Sequence, residues 1–246
     1  MIYSERNSSV TVIQLLAEGG PTHLATGFFI TSGGRVFLAT CHHVVSWAGG
    51  YPPAVILKLR PRGGGPLRDF RLVLRDGAGR RRWRTFLRPE DFWDVVLVEL
   101  DPEDLLPFDI RPWREDECLP AGESLDPGAE VAVLTYPETY GPEPAPYDAR
   151  ARVCAEEQQT APGDLSVFIT RPLYHGASGS PVYRIMAGYG GDGAAGAEAG
   201  IQLVGVFTGA WPKDKPLVGH FHYAETVGRI MADTEDCMDE RGDGFK

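Results

Sequence analysis

The stretch His175-Gly176-Ala177-Ser178-Gly179-Ser180-Pro181-Val182 sets one serine among small residues and then runs into an apolar segment. Acyl transfer requires an exposed hydroxyl with backbone N–H groups converging on a developing oxyanion. Glycines beside a serine let the backbone turn those N–H groups inward without a Cβ clash. A plain Gly/Ser turn has the same composition. The pattern G-x-S-G-x-P favours the chemical reading.

Two further stretches lie upstream. In Asp91-Phe92-Trp93-Asp94-Val95-Val96-Leu97-Val98-Glu99-Leu100, Asp94 heads an almost wholly apolar run. A carboxylate at the mouth of a buried strand is costly unless it is partnered. A strand-capping aspartate is the plain alternative. In Phe37-Leu38-Ala39-Thr40-Cys41-His42-His43-Val44-Val45, an apolar run ends in threonine and a histidine follows three residues later. A catalytic imidazole needs one nitrogen facing its reaction partner and the other held by an acceptor. A position just past a buried strand meets both needs, but two adjacent histidines equally suit a core or metal role.

Around these stretches the periodicity is that of strands. Short runs rich in Val, Ile, Leu and Phe occur at 10–16, 26–31, 35–40, 54–59, 70–74, 95–100, 131–134, 167–170 and 201–207. Gly and Pro clusters punctuate them, which predicts a sandwich or barrel. Helical periodicity is clear only from about Ala224 to Cys237. The Pro- and acid-rich segment 101–127 reads as a linker between two β halves. Residues 187–200 are almost all Gly, Ala, Asp and Glu and read as a loop.

The order His, Asp, Ser with these flanks resembles the trypsin-fold peptidases, nearer the bacterial Deg-type branch than the secreted digestive one. The resemblance rests on T-x-x-H-V at Thr40 to Val44, D-V-V-L-V at Asp94 to Val98 and G-x-S-G-x-P at Gly176 to Pro181. A fourth piece, Leu203 to Gly209, is similar to the strand along which these enzymes lay a substrate backbone. The resemblance implies an all-β fold of two six-stranded antiparallel barrels with a C-terminal helix. Its parts would be a first barrel over 1–100, a linker over 101–127, a second barrel over 128–223, and a helix and tail over 224–246. It selects His43 over His42 as general base, with Asp94 as its orienter and Ser178 as nucleophile. It puts the oxyanion hole at the N–H groups of Gly176 and Ser178. It places Pro172, Phe207, Thr208, Gly209, Ala210, His220 and His222 along the substrate site, with a pocket wall also near Gly219. No acidic residue stands at the pocket base, which argues against Arg or Lys selectivity. In some relatives histidines at the far wall favour acidic residues or Gln; two surface histidines on a closing strand are the alternative. No cofactor or metal is implied. The partner is a protein or peptide substrate, with an activating protein as a further possibility.

Composition narrows the classes. The formal net charge is −10, which disfavours nucleic acid. The run Arg80-Arg81-Arg82-Trp83-Arg84 reads as a solvated hairpin. No apolar run reaches the roughly 20 residues of a membrane helix. MIYSERNSSV has no basic stretch leading into an apolar core, so a cytoplasmic location is expected. The four cysteines, Cys41, Cys118, Cys154 and Cys237, form no C-x-x-C pair and are expected as free thiols.

Three rivals remain. An α/β-hydrolase esterase would need Gly at position 180 and alternating helices. A zinc hydrolase would build on His220 and His222, without an evident third ligand. A catalytically inactive, peptide-binding relative is the serious non-enzyme alternative, and the presence of all three triad residues argues against it. Ala177 before the nucleophile has no charge, so an ion pair from a buried N-terminus is not expected to order the oxyanion loop.

Overall fold

The computed structural model describes residues 6–17, 20–46, 52–88, 91–136, 144–161, 164–173, 176–186, 200–211 and 218–232. The predicted loop at 187–200, save Gly200, lies outside these, as do the residues after 232 and His175. In the first half, β1 (Val10–Ala17) pairs antiparallel with β2 (Gly20–Ser32), and β2 with β3 (Arg35–Thr40). Gly33 and Gly34 join β2 to β3 at φ of 54° and 76°, the left-handed pair that a two-residue hairpin requires. Strands β4 (Ala54–Leu59), β5 (Arg68–Val73), β6 (Trp83–Arg88) and β7 (Asp91–Leu100) complete one sheet in the order β5-β4-β1-β2-β3-β7-β6.

This sheet curls without closing, which corrects the expected six-stranded barrel. Seven strands form its path, and an eighth, β8 (Trp113–Arg114), adds parallel to β2. The edge strands β5 and β6 form no ladder with each other; just beyond them the chain meets at one isolated bridge, Arg75 to Arg81, with Arg82 N–H donating to the Leu74 carbonyl at 2.9 Å. The pairing stops there. Asp76 Oδ1 accepts from the N–H groups of Ala78 and Arg80 at 2.9 Å each and bends the chain into a turn.

The second half closes as expected. Strands β9 (Glu130–Thr135), β10 (Tyr147–Ala161), β11 (Asp164–Ile169), β12 (Pro181–Ile185), β13 (Ile201–Trp211) and β14 (Val218–Tyr223) form a barrel in the order β10-β11-β14-β13-β12-β9. Val131, Val133, Val167, Ile169, Val204, Phe207 and Phe221 fill its interior. Between the halves, α2 (Pro102–Leu105) starts on an Asp101 cap, and Leu119 N–H reaches the Leu203 carbonyl at 2.7 Å. A shared core then joins sheet and barrel. Val10, Phe28, Phe37 and Trp113 meet Leu134, Tyr183 and Val206, and helix α3 (Ala224–Ala232) closes it with Val227, Ile230 and Met231. The site described below lies where these halves abut. Cys41, Cys118 and Cys154 are free thiols. No helix among the described residues is long and apolar enough to cross a membrane.

Candidate active site

Strand β3 is fully buried over Phe37 to Thr40, so the chain leaves it at a rigid point and turns at once into the short helix α1 (His42–Val45). The turn separates the two histidines. His42 folds inward, edge-on to Trp83 at 5.3 Å between ring centroids, and burial lowers its affinity for a proton. His43 faces outward, its side chain 51% exposed, and meets Asp94 of β7. Nδ1 of His43 lies 2.5 Å from Asp94 Oδ2, and the His43 backbone N–H donates to Oδ1 at 2.9 Å. Both carboxylate oxygens are thereby used to fix one imidazole. Burial alone would push the Asp94 carboxyl up. The hydrogen bonds from His43, with the charges of His43 and His222, outweigh it and hold the group below the usual carboxylate range. With Nδ1–H on a carboxylate, Nε2 is left as the basic nitrogen on the exposed edge.

Ser178 sits on a loop pressed against the middle of β2, at Thr26, and the end of β3, at Thr40. Three successive carbonyls of this loop are held: Gly176 O by Thr26 Oγ1 at 2.7 Å, Ala177 O by Ser180 N–H at 3.0 Å, and Ser178 O by Thr26 N–H at 2.9 Å. Gly176 takes φ of 99° and Gly179 φ of 82°. Gly179 is so close to β2 and β3 that an added Cβ would stand 2.2 Å from Thr26 O and 2.3 Å from Thr40 Oγ1. That contact brings the serine loop within three residues of His43. Among the described residues, Ser178 Oγ makes no hydrogen bond to His43, and the N–H groups of Gly176 and Ser178 donate to no protein acceptor. The His–Asp pair is thus assembled, the serine loop is packed on β2 and β3, and two backbone donors are uncommitted.

Cys41 lies behind the pair, its Sγ 3.4 Å from the Phe207 carbonyl; burial, with the Asp94 charge adding, pushes the thiol well up. Ligand atoms of Cys41, His43 and Asp94 lie within 4.8 Å of one another. This does not suit a resident metal: Nδ1 and Oδ2 close on each other at hydrogen-bond distance, and the thiol is spent on a carbonyl.

The expected substrate residues fall into two groups. Thr208, Gly209 and Ala210 lie on β13 past the end of its pairing with β12, which runs only from Ile201 to Val206. One edge of 208–210 therefore has no strand partner among the described residues. Pro172, partly buried, follows β11. His220 stands across β14 with Nδ1 2.9 Å from Thr208 Oγ1, and a Cβ at Gly209 would be 3.1 Å from its Nε2. Phe207 and His222 behave differently. Phe207 buries its ring in the barrel, and its carbonyl accepts from Gly179 N–H at 2.8 Å, so it braces the loop. His222 is 2% exposed, on β14 where it pairs with Val206, and so is buried in the barrel. Thr26 was not singled out in the sequence, where a threonine in an apolar strand reads as an ordinary strand former.

The family model described as "Trypsin-like peptidase domain" matches residues 25–188. A search of curated protein sequences finds no match to this chain. Among solved structures, the MamO protease domain from Magnetospirillum magneticum is 15% identical, with 92% of this chain and 97% of that one covered at a TM-score of 0.59. The Rv3671c protease from M. tuberculosis in its active form is 21% identical, with 99% and 86% covered and a TM-score of 0.53. The HtrA-type protease AlgW with a tripeptide is 16% identical with a TM-score of 0.57; 94% of this chain is covered, and the chain spans 61% of that protein's length. At these identities the structures show a common fold. That fold excludes the helix-alternating α/β-hydrolase alternative. The family model spans the histidine, the aspartate and the serine motifs together, and on that match the chain belongs to the trypsin-like peptidase family.

Proposed function

We propose that this protein is a serine endopeptidase acting through Ser178, His43 and Asp94. The observation that carries the reading is the double hydrogen bond from His43 to Asp94, because it spends both carboxylate oxygens on holding one imidazole half-exposed. Asp94 fixes the tautomer with Nδ1 protonated and steadies the imidazolium when it forms. Ser178 Oγ attacks the scissile carbonyl as Nε2 of His43 takes its proton. The same proton then passes to the leaving amine, and an acyl-enzyme on Ser178 is left for water. The N–H groups of Gly176 and Ser178 receive the oxyanion. An extended peptide pairs with the open edge of Thr208 to Ala210, and this supports a polypeptide substrate. Its side chain at the cleaved bond meets Pro172, Gly219 and His220, a lining without carboxylates, so Arg and Lys are poor fits.

The missing Ser178–His43 hydrogen bond supports a second reading, a peptide-binding protein whose nucleophile is idle. Resting sites often lengthen this contact and tighten it only with substrate. A peptide library separates the two readings. Cleavage by the wild type that disappears in Ser178→Ala supports the first. Binding without cleavage supports the second.

A further inference from the structure

Thr26 ties the nucleophile loop to both halves of the molecule. It is wholly buried on β2. Its hydroxyl donates to the Gly176 carbonyl at 2.7 Å, and its N–H donates to the Ser178 carbonyl at 2.9 Å. On the barrel side, Tyr136 N–H points at the same hydroxyl oxygen at 3.5 Å, and Thr135 Oγ1 lies 3.4 Å away. The Tyr136 N–H can only donate, so it takes a lone pair of the Thr26 oxygen and leaves the hydroxyl proton for Gly176.

We infer that Thr26 is a positioning residue that holds the oxyanion hole in its receptive form, through the Gly176 carbonyl. This deepens the serine-peptidase reading and rests on it. In a trans peptide the N–H and C=O point in opposite directions. The Ala177 carbonyl turns to Ser180, so the Ser178 N–H on that peptide faces the other way, out of the loop. The next peptide back, Gly176 to Ala177, has no such internal tie. Gly176 at φ of 99° has no Cβ to oppose rotation, and glycine moves between such states at little cost. The Thr26 hydroxyl supplies the restraint that the glycine lacks. Gly176 is buried too, so its carbonyl, released from Thr26, has no ready solvent partner and is driven to seek another orientation. Neither donor is on that peptide, but it joins the peptide that carries the Gly176 N–H to the one that carries the Ser178 N–H, so its rotation changes the angle between the two donors while His43 and Asp94 stay in place.

The test uses the full chain with Thr26→Val, which keeps the shape and removes the hydroxyl, and Thr26→Ser, which keeps the hydroxyl. The readouts are the rate of fluorophosphonate labelling, kcat and KM on a cleaved peptide, and affinity for a peptide boronate against the matching product peptide. Thr26→Val is expected to lower labelling and kcat by about 10- to 100-fold, short of the roughly 10²–10³ for outright loss of a donor. Boronate affinity should fall in parallel, while KM, product affinity and the pH profile stay near wild type. Thr26→Ser should match the wild type within about threefold, since the bond is retained. If Thr26→Val does not fold, Thr26→Ala, which also removes the hydroxyl, should show the same split. Wild-type labelling and kcat in Thr26→Val would overturn the inference. So would equal losses of boronate and product affinity, or a Thr26→Ser variant as weak as Thr26→Val. A wild type that is labelled while Thr26→Val is unaffected sinks this inference alone; a wild type that is never labelled sinks the serine-peptidase reading and this inference with it.

Discussion

Replacing Gly179 by alanine tests the packing that carries Ser178 to β2 and β3. Two effects add. Gly179 sits at φ of 82°, where an L side chain costs about 1–2 kcal/mol. The new methyl would also stand 2.2 Å from Thr26 O and 2.3 Å from Thr40 Oγ1. Ordinary non-bonded contact is roughly 3.5 Å, so the loop must retreat by about 1 Å. Overpacking of this kind costs about 1–3 kcal/mol. The sum, about 2–5 kcal/mol, corresponds to a fall in Tm of roughly 4–20 °C at this chain length. The larger effect is on chemistry, since a displacement of about 1 Å at a reacting group costs on the order of 10²-fold in rate. Gly33→Ala is the control, because Gly33 has φ of 54° but nothing within 4 Å of an added Cβ. It carries the strain without the clash. Calorimetry and peptide turnover on both variants give the answer. Gly33→Ala should lose a few degrees and keep its turnover; Gly179→Ala should lose both. A Gly179→Ala protein with near-native Tm and near-native turnover would refute the packing reasoning.

His43→Ala should cut turnover by roughly five to six orders of magnitude, as with other triad bases, whereas His42→Ala should lower Tm and change turnover by less than about tenfold. Turnover lost in His42→Ala and kept in His43→Ala would reverse the assignment. Asp94→Asn should cost about 10⁴-fold in kcat by stabilising the wrong tautomer. Because the folded Asp94 pKa lies below its unfolded value, its stabilising contribution is complete above the ordinary carboxylate range and is lost as pH falls through the folded value. The Tm difference between wild type and Asp94→Asn should hold from about pH 7 to pH 5 and shrink only below roughly pH 4; shrinkage already near pH 6 would contradict it. Ala177 is 3% exposed within the apolar barrel core, where a buried ammonium would find no partner. An uncleaved N-terminal tag should leave activity intact, and activity that appears only on proteolytic release of a new N-terminus would sink that claim.

The legible parts of the fold were those whose signal is local. Apolar runs marked β3, β4 and β7, and small residues around Ser178 marked a loop that must approach other backbone closely. The strand β10 is weakly marked because its inward residues, Ala149, Ala151 and Val153, are mostly small, so their alternation with Arg150 and Arg152 carries little apolar signal. β6 begins inside the basic run, where Trp83 is the residue that turns inward to the core. Closure of the barrels was not readable from periodicity at all. It depends on long-range pairing, such as β10 with both β9 and β11, and on whether an edge such as Arg75 to Arg81 can continue. The role of Thr26 is hidden for the same reason: the partners of its hydroxyl are 109 to 150 residues away.

The central claim is that Ser178 is an activated nucleophile. Its most direct measurement is mass spectrometry of the folded protein after reaction with a fluorophosphonate, peptide by peptide, beside Ser178→Ala and heat-unfolded samples. The account predicts a single adduct on Ser178 in the folded wild type, and none in the variant or the unfolded chain. A folded wild type that stays unmodified, or a Ser178→Ala protein modified to the same extent, would contradict it.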